Sequence, residues 1–456
     1  MVQQEKTVRG SMGATVAKNR EAGLWRRLLW GPVHGRSTYY IVIGLFLRLL
    51  GVVYFAAFAS FGAQVTGLVG SEGILPLTQD LALSRERHGE LAPLLFPSVF
   101  WFDAGDAALR AACLAGMVAA VLLILNRLTR LVLPLLFVLY LSLVYAGQVF
   151  MNFQWDFMLL EAGFLAIFLP WGSPVVVWLM HWLLFRVRFQ SGVAKLMSGD
   201  ESWSGLTALN HYFETQPIPH AGAWYAHQLP DWMLQAGVGM TFFAELVVPF
   251  FIFLPRRFRL FAAGFTILIQ LVIIATSKHN FVNLLTILLC LFLLDDRIVS
   301  RILPAWLRQR LEARRQPGHR KAGAGAMALS AIILSASIPG AIGLATNAAL
   351  PAPLHSWMVQ VSHFGVGNVY HIFPTMQTER HELTIQGSHD GKEWRSYRFR
   401  YKPNSYDDVP AFIVPLHPRL DWMIWFIPPQ IPAMQRWFDP FMWRLKQNSP
   451  AVTGLL

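Results

Sequence analysis

The stretch YYIVIGLFLRLLGVVYFAAFASFGAQV, from Tyr39 to Val65, carries a single charged residue, Arg48. A membrane span needs roughly 20 apolar residues, so this segment is long enough to cross a bilayer. Comparable stretches recur along the chain, centred near Gly51, Gly116, Leu136, Gly163, His181, Phe243, Ile267, Leu288 and Ile333. Those near Gly163 and Leu288 are short, as expected of spans that tilt or break against neighbours. Only 14% of residues are charged and 54% are hydrophobic, whereas an ordinary soluble chain is about a quarter charged. Mean hydropathy is +0.42. The expected fold class is therefore mainly α, a polytopic transmembrane bundle of about nine helices.

A net charge of +12 raises nucleic acid as a partner, and the placement of the charge argues against it. Arg26, Arg27 and Arg36 precede the first span, and Arg127 and Arg130 lie between the second and third. Arg256, Arg257 and Arg259 follow the sixth; Arg297, Arg301, Arg308, Arg310, Arg314, Arg315, Arg320 and Lys321 follow the eighth. With a cytoplasmic N-terminus every cluster falls on the cytoplasmic side, as basic loops do. The opposite loops carry Glu72, Asp80, Glu86, Glu90, Asp103, Asp106, Asp200, Glu201 and Glu214, with Arg85 and Arg87 among them. No nucleic-acid partner is expected; membrane lipids are.

The two cysteines, Cys113 and Cys290, sit in separate apolar spans, which leaves neither a dithiol motif nor a disulfide scaffold. The N-terminal tail lacks the apolar core and small-residue cleavage site of a signal peptide, so the first span is expected to stay as an anchor. The organisation reads as a basic cytoplasmic tail over 1–37 and a transmembrane domain over 38–350 with an extracytoplasmic loop at 198–231. A small β-rich extracytoplasmic domain is expected over 351–430. Within it HELTIQGSHDGKEWRSYRFRYKP has alternating apolar residues on either side of Asp390-Gly391, a two-residue turn signal. An aromatic, Pro-containing tail over 431–456 is suited to lie on the membrane surface. No internal repeat is visible.

Charges at bilayer depth cost about 2.5–3.5 kcal/mol each on insertion scales and tend to face the bundle interior. Here they are Arg48, Glu161 and Glu245, with Asp156, His181, Arg188 and Lys195 nearer the interfaces. Arg48 is a candidate partner for Glu161 or Glu245, and the sequence does not choose. An ion pair that fixes helix register and a polar site within the bundle are both compatible with the pattern. His181, Arg188 and Lys195 are seven apart and share one face of a continuous helix, since each such step drifts only about 20°. Lys195 follows Ser191, Gly192 and Ala194 in RFQSGVAKLMSGDESW. Such small neighbours remove the packing that a snorkelling lysine uses and let another element approach. A lysine in an apolar pocket can act as a base, which makes Lys195, with Glu245 or Asp156 nearby, the candidate catalytic set.

The loop histidines His211, His220 and His227, with Glu214, match no metal-ligand spacing, and no metal is expected. They serve the loop's own hydrogen bonds in this reading. There is no phosphate loop, and FQSGV lacks the strand-turn-helix context of a serine hydrolase.

Several stretches together resemble the lipase maturation factor family: GSEGILP (70–76), FQWDFMLLEAGFLAIFLPW (153–171), SGVAKLMSGDESWSGLTALNHYFETQPIPHAGAWYAHQLP (191–230), FVNLLTILLCLFLLDD (281–296), IQGSHDGKEW (385–394) and PLHPRLDWMIWF (415–426). They follow the family's order over about residues 38–430. The chain departs from the family's pattern at NHYF (210–213) and SKHN (277–280). The resemblance implies a multi-pass protein of the endoplasmic reticulum membrane, or a bacterial inner membrane, that helps secreted lipases fold and assemble. More distantly, SGVAKLMSGDESW resembles the lysine-bearing stretch of the vitamin K-dependent carboxylases. There the resemblance implies a base acting on a reduced quinone, at the position of Lys195.

The first functional expectation is thus a maturation factor or chaperone for a secreted client such as a lipase, with no cofactor and no reaction of its own. Client contacts are expected at Trp203, His227, Trp394 and Trp422, chosen on resemblance and expected exposure. The rivals are a carboxylase-like membrane enzyme with bound quinone or lipid, and a transporter.

Overall fold

The computed structural model describes residues 38–279, 281–312, 323–405, 407–428 and 435–456. The expected basic tail over 1–37 lies outside the described residues, as do Arg314, Arg315, Arg320 and Lys321. In order, the main helices are α1 (Tyr40–Gly62), α2 (Asp106–Ile124), α3 (Thr129–Ala146), α4 (Gln154–Phe168), α5 (Pro174–Met197) and α6 (Asp231–Phe242). Then come α7 (Arg256–Thr276), α8 (Val282–Cys290), α9 (Ala324–Thr346) and α10 (Ala352–Ser362). A π turn at Phe243–Val247 and a 3-10 stretch at Val248–Phe253 carry α6 onward. Each of the nine sequence-predicted centres lies in one of these helical stretches.

Among the described residues six helices are long and apolar enough to cross a membrane: α1, α2, α3, the 231–253 stretch, α7 and α9. Among the remaining three, α4 has 15 residues and α8 has 9 before it tightens into a 3-10 turn. α5 has 24 residues, but His181, Arg186, Arg188 and Lys195 interrupt its apolar run. In lipid the backbone must satisfy itself, so helices persist there even through glycine. Glycine also sets how closely α1 and α2 approach: a Cβ on Gly116 would stand 2.3 Å from the Phe58 ring. Tyr140 of α3 then meets Tyr54 and Phe58 of α1 edge-on.

The two ends of the bundle differ. At one end Asp296 accepts the N–H groups of Tyr40, Ile41 and Val42 at 2.8, 2.9 and 3.0 Å. It thereby caps α1 from a distant element and favours the helix dipole. Beside it Asp295 pairs with Arg256, at 2.8 Å, and the Arg256 guanidinium holds its carboxyl below the usual range against the opposing effect of burial. At the other end sit the loop helices Glu201–Ser204, Ala208–Thr215 and Ala221–His227, together with everything after α9.

The segment expected as a β-rich domain over 351–430 is not rich in strands among the described residues. It opens with α10, and its hairpin consists of β1 (Gln386–Gly387) antiparallel to β2 (Arg395–Ser396), with Gln386 opposite Ser396. The turn falls where expected, at Asp390-Gly391, with Gly391 at φ +72. The ladder stops early because side chains satisfy the neighbouring backbone. Asp421 accepts the N–H groups of Tyr401 and Lys402 at 2.9 and 3.0 Å, and Asn404 accepts that of Phe399 at 2.7 Å. Among the described residues three more helices follow, α11 (Arg419–Ile424), α12 (Phe438–Lys446) and α13 (Pro450–Thr453). The tail packs on protein: Arg444 donates to the Gly73 carbonyl at 2.9 Å, and Trp437 and Phe441 are buried.

Candidate functional site

Helix α5 turns about 100° per residue, so Arg186 and Arg188 project to nearly opposite sides. Arg186 reaches α4, where its Nη2 bonds Glu161 Oε1. The other carboxylate oxygen accepts the Tyr370 hydroxyl at 2.8 Å and the Asn368 amide at 3.4 Å. Arg186 Nη1 donates to the Asn368 carbonyl at 2.8 Å, and Gln190 Oε1 accepts the Tyr370 N–H, also at 2.8 Å. Glu161, Arg186, Gln190 and Tyr370 are buried, and Asn368 is partly so. The stretch FGVGNVY (364–370) therefore enters the bundle from beyond α10. Gly365 and Gly367 make the entry possible at φ +65 and +72, a region that side chains with a Cβ rarely adopt.

The opposite face of α5 presents Arg188 and Lys195 to Glu245, which sits in the π turn after α6. Lys195 Nζ is 2.9 Å from Glu245 Oε2, and Arg188 Nη2 is 3.6 Å from Oε1. The small residues explain the contact. A Cβ on Gly192 would lie 2.8 Å from Leu246 Cδ2 and 2.9 Å from Glu245 Cβ, so the π turn occupies the space that glycine leaves. Such turns occur mostly as single-turn bulges within α-helices, frequently at functional sites. Lys195 Nζ also donates to the Ile372 carbonyl at 2.8 Å and faces the Ser191 carbonyl at 3.4 Å, with the Trp203 ring centroid 5.1 Å away. A carboxylate, two carbonyls and a ring face all favour an ammonium. The lone pair of a neutral amine would point at one of the carbonyls.

A third buried pair lies at the start of α4. Arg419 holds both oxygens of Asp156, at 2.7 and 2.8 Å, and donates to the Phe150 carbonyl at 2.9 Å. Tyr140 adds its hydroxyl to Asp156 at 2.7 Å. Two residues earlier the His417 backbone N–H donates to Ser60 Oγ at 2.7 Å, and its ring lies against Trp155 and Trp422. Burial, and then the charge of Arg419, keep this imidazole well below its ordinary range.

The structure thus brings Lys195, Arg188 and Glu245 together and places Asp156 elsewhere, with Arg419. Glu161 is matched by Arg186, not by Arg48; the Arg48 guanidinium donates to the Gly44 carbonyl at 2.6 Å. His181 bonds the Phe292 carbonyl through Nε2 at 2.7 Å, on the α8 side. Of the expected client contacts, Trp203 and Trp422 are corrected: they are 4% and 3% exposed, packed under the loop and the α11 segment. Trp394 is 59% exposed, and His227 is open to solvent in part while paired with Glu214 at 2.6 Å. His220 Nδ1 accepts the Gly222 N–H at 2.9 Å and caps its helix. Among the described residues no group of three or more His, Cys, Asp or Glu side chains is placed to hold a metal.

The stretches at 210–213 and 277–279 meet. Tyr212 bonds Ser277 Oγ at 2.7 Å and also His279 Nε2, and Phe373 lies against the His279 ring. Burial, helped by the charge of Lys195, pushes His279 down to about 3. Beside it Lys278 donates to the Ala411 carbonyl, and burial pushes it down to about 8.

Sequence reasoning passed over Arg186, Tyr370 and Arg419. Arg186 fell outside the seven-residue series. A count of acids and bases within the spans gives a signal for it, because Glu161 and Glu245 together outnumber Arg48. Tyr370 and Arg419 carry no periodic signal, since irregular chain delivers them.

Comparison with known proteins agrees with this architecture. The family model described as Lipase maturation factor transmembrane domain matches residues 42–301, and that described as Lipase maturation factor C-terminal domain matches residues 366–456. The second match begins inside the stretch that enters the bundle. The chain is 33% identical to Lipase maturation factor 2 of Xenopus laevis over 525 residues, covering 90% of this chain and 74% of that protein. It is 31% identical to Lipase maturation factor 1 of Bos taurus over 476 residues, covering 95% and 83%. No solved structure matches. Between them the two family models cover the residues that build the three buried pairs, and the chain belongs to the lipase maturation factor family of multi-pass integral membrane proteins.

Proposed function

We propose that this protein assists the folding, assembly or export of a secreted client, a lipase being the client class that its relatives' names suggest. The supporting observation is the way the segment after α9 is fastened to one end of the bundle. Tyr370 to Glu161, Lys195 to the Ile372 carbonyl and Arg419 to Asp156 are three buried ties. They make a platform from loop and C-terminal segment rather than a tethered domain. Its free surface exposes Trp224, Tyr225, Trp232, Trp394 and Phe412. Apolar patches of this kind, rimmed by polar residues, suit contact with incompletely folded chains.

In this reading all nine helical stretches span, including α4, α5 and α8, whose charges and ends are shielded by neighbours. Alternation then puts the α1–α2, α3–α4, α5–α6 and α7–α8 connections and the C-terminal segment on the extracytoplasmic side, with a cytoplasmic N-terminus. The membrane is that of the endoplasmic reticulum or a bacterial inner membrane. The transmembrane domain runs over 38–350.

The test is co-expression with a secreted lipase in cells lacking their own maturation factor, with active lipase in the medium as readout. The full chain should raise it, and a chain ending at Leu350 and present in the membrane at the same level should not. Equal lipase output from the truncated chain defeats the platform reading.

A further inference from the structure

The three buried pairs are not equally balanced. Glu161 faces Arg186, and Asp156 faces Arg419, one charge against one. Glu245 faces two cations, Lys195 and Arg188. The carboxylate at 2.9 Å and the Ile372 carbonyl at 2.8 Å favour an ammonium at Lys195, and Lys195 alone then neutralises Glu245. Arg188 is then surplus. Its side chain is 6% exposed, its nearest carboxylate oxygen is 3.6 Å away, and its guanidinium makes no hydrogen bond among the described residues; Nε is buried and without an acceptor. A guanidinium has five donors in a planar fork, and burying them unmatched is unfavourable. The other acids nearby are committed: Glu161 to Arg186, and Asp200 to the Ser202 and Met376 N–H groups at 2.8 and 2.7 Å.

We propose that Arg188 anchors an anion site beside α5, the π turn at Phe243–Val247 and α8, which takes one oxyanion group, a carboxylate or a phosphate. The fork of Arg188 supplies paired donors of the right geometry for such a group. The backbone of Arg188 lies two helical turns, roughly 10 Å, from that of Lys195 along α5, while both head groups reach the one Glu245 carboxylate, so the site adjoins the Lys195 pair. The α6 side is apolar and open to the bilayer, with Phe243, Val247 and Phe250 exposed. An amphiphile entering sideways from the membrane can place its headgroup there while its chain stays in apolar surroundings. This inference does not rest on the client reading.

The test is thermal unfolding of the full chain in dodecyl maltoside, followed by tryptophan fluorescence, while sodium oleate, sodium phosphate or oleyl alcohol is added at constant ionic strength. A ligand of the native state raises Tm with concentration. Oleate should raise the Tm of the unaltered protein by several degrees, and Arg188→Gln should abolish the rise without lowering the starting Tm, because it removes an unmatched charge. Glu245→Gln frees both cations and should lower the midpoint oleate concentration by about 10-fold or more, as expected when a neighbouring like charge of the ligand is removed from a poorly screened site. A rise with oleate alone assigns an amphiphile; an equal rise with phosphate assigns the free anion to the same site. Unchanged Tm with both anions, a rise in Arg188→Gln equal to that of the unaltered protein, or an equal rise with oleyl alcohol overturns the proposal. Should Arg188→Gln fail to fold, the unaltered protein and Glu245→Gln decide it.

Discussion

Arg419 closes on Asp156 with both guanidinium nitrogens, at 2.7 and 2.8 Å, across 263 residues of sequence. Arg419 is 2% exposed and Asp156 fully buried. The C-terminal segment also meets the start of α4 through Gln154 and His371, at 3.3 Å, and through Trp155 and the His417 ring. A buried pair of this kind is a weak source of net stability, but breaking it by removing one partner strands the other and costs about 3–5 kcal/mol.

Arg419→Met should therefore lower Tm sharply and expose the segment after Leu350 to limited proteolysis, while Asp156→Asn with Arg419→Met together should recover part of the loss. The measurement is a double-mutant cycle on Tm with protease cleavage rates alongside. A single variant that keeps the native Tm and cleavage rate would show that the segment is held by its other contacts.

The Lys195 cluster makes an asymmetric prediction. Lys195→Met leaves Glu245 with Arg188 as its remaining cation, so the charge stays balanced. Glu245→Gln leaves two cations facing one another across a buried space. With no anion added, Glu245→Gln should therefore destabilise more than Lys195→Met, by at least ~1 kcal/mol given the cost of an unmatched buried charge. Denaturation midpoints of the two purified variants check this, and the reverse order would mean that Lys195 carries more of the packing than of the charge.

Much of the bundle can be read from the sequence because hydropathy and helix length act locally. Each expected centre falls in a helix, and the series His181, Arg188, Lys195 sets two of its members against one acid as the period of seven requires. The small residues before Lys195 announce a close approach, and the π turn supplies it. What could not be read depends on chain that has no period. Tyr370 arrives through two left-handed glycines, and Arg419 opens the short helix α11 after irregular chain. The partners of Glu161 and Asp156 therefore follow from how irregular segments return to the bundle. The expected sheet fails for a related reason: alternation in RSYRFRYKP marks extended chain, but Asp421 and Asn404 take the N–H groups that a neighbouring strand would need.

Gly192 tests whether the π turn is held by packing. Its Cβ position lies within 3.0 Å of Leu246 and Glu245 atoms. Gly192→Val has to push that turn away, which costs about 1–3 kcal/mol for an overpacked site, and it separates Glu245 from Lys195. Gly192→Ala should fall between Val and the native residue. Graded Tm values in that order are expected; a neutral Gly192→Val would mean that α5 and the π turn can part without loss.

Acid should loosen the loop end of the bundle through His279. Its folded-state value is about 3 against 6.5 for the free side chain, because burial and the charge of Lys195 disfavour the imidazolium. Between those values the unfolded chain binds a proton that the folded chain does not, so stability rises with pH across the window and falls as pH is lowered through it. Above 6.5 both states are neutral and the contribution is flat. At pH 5 the loss from this one residue is about 2 kcal/mol, taking 1.36 kcal/mol per unit below the free value. His417 and His220, both shifted in the same direction by burial, steepen the fall. Tm measured from pH 7.5 to 5 should drop, and His279→Gln, which keeps a hydrogen-bonding amide for Tyr212 but cannot titrate, should flatten the curve. A parallel drop in that variant would assign the acid sensitivity to the other buried histidines.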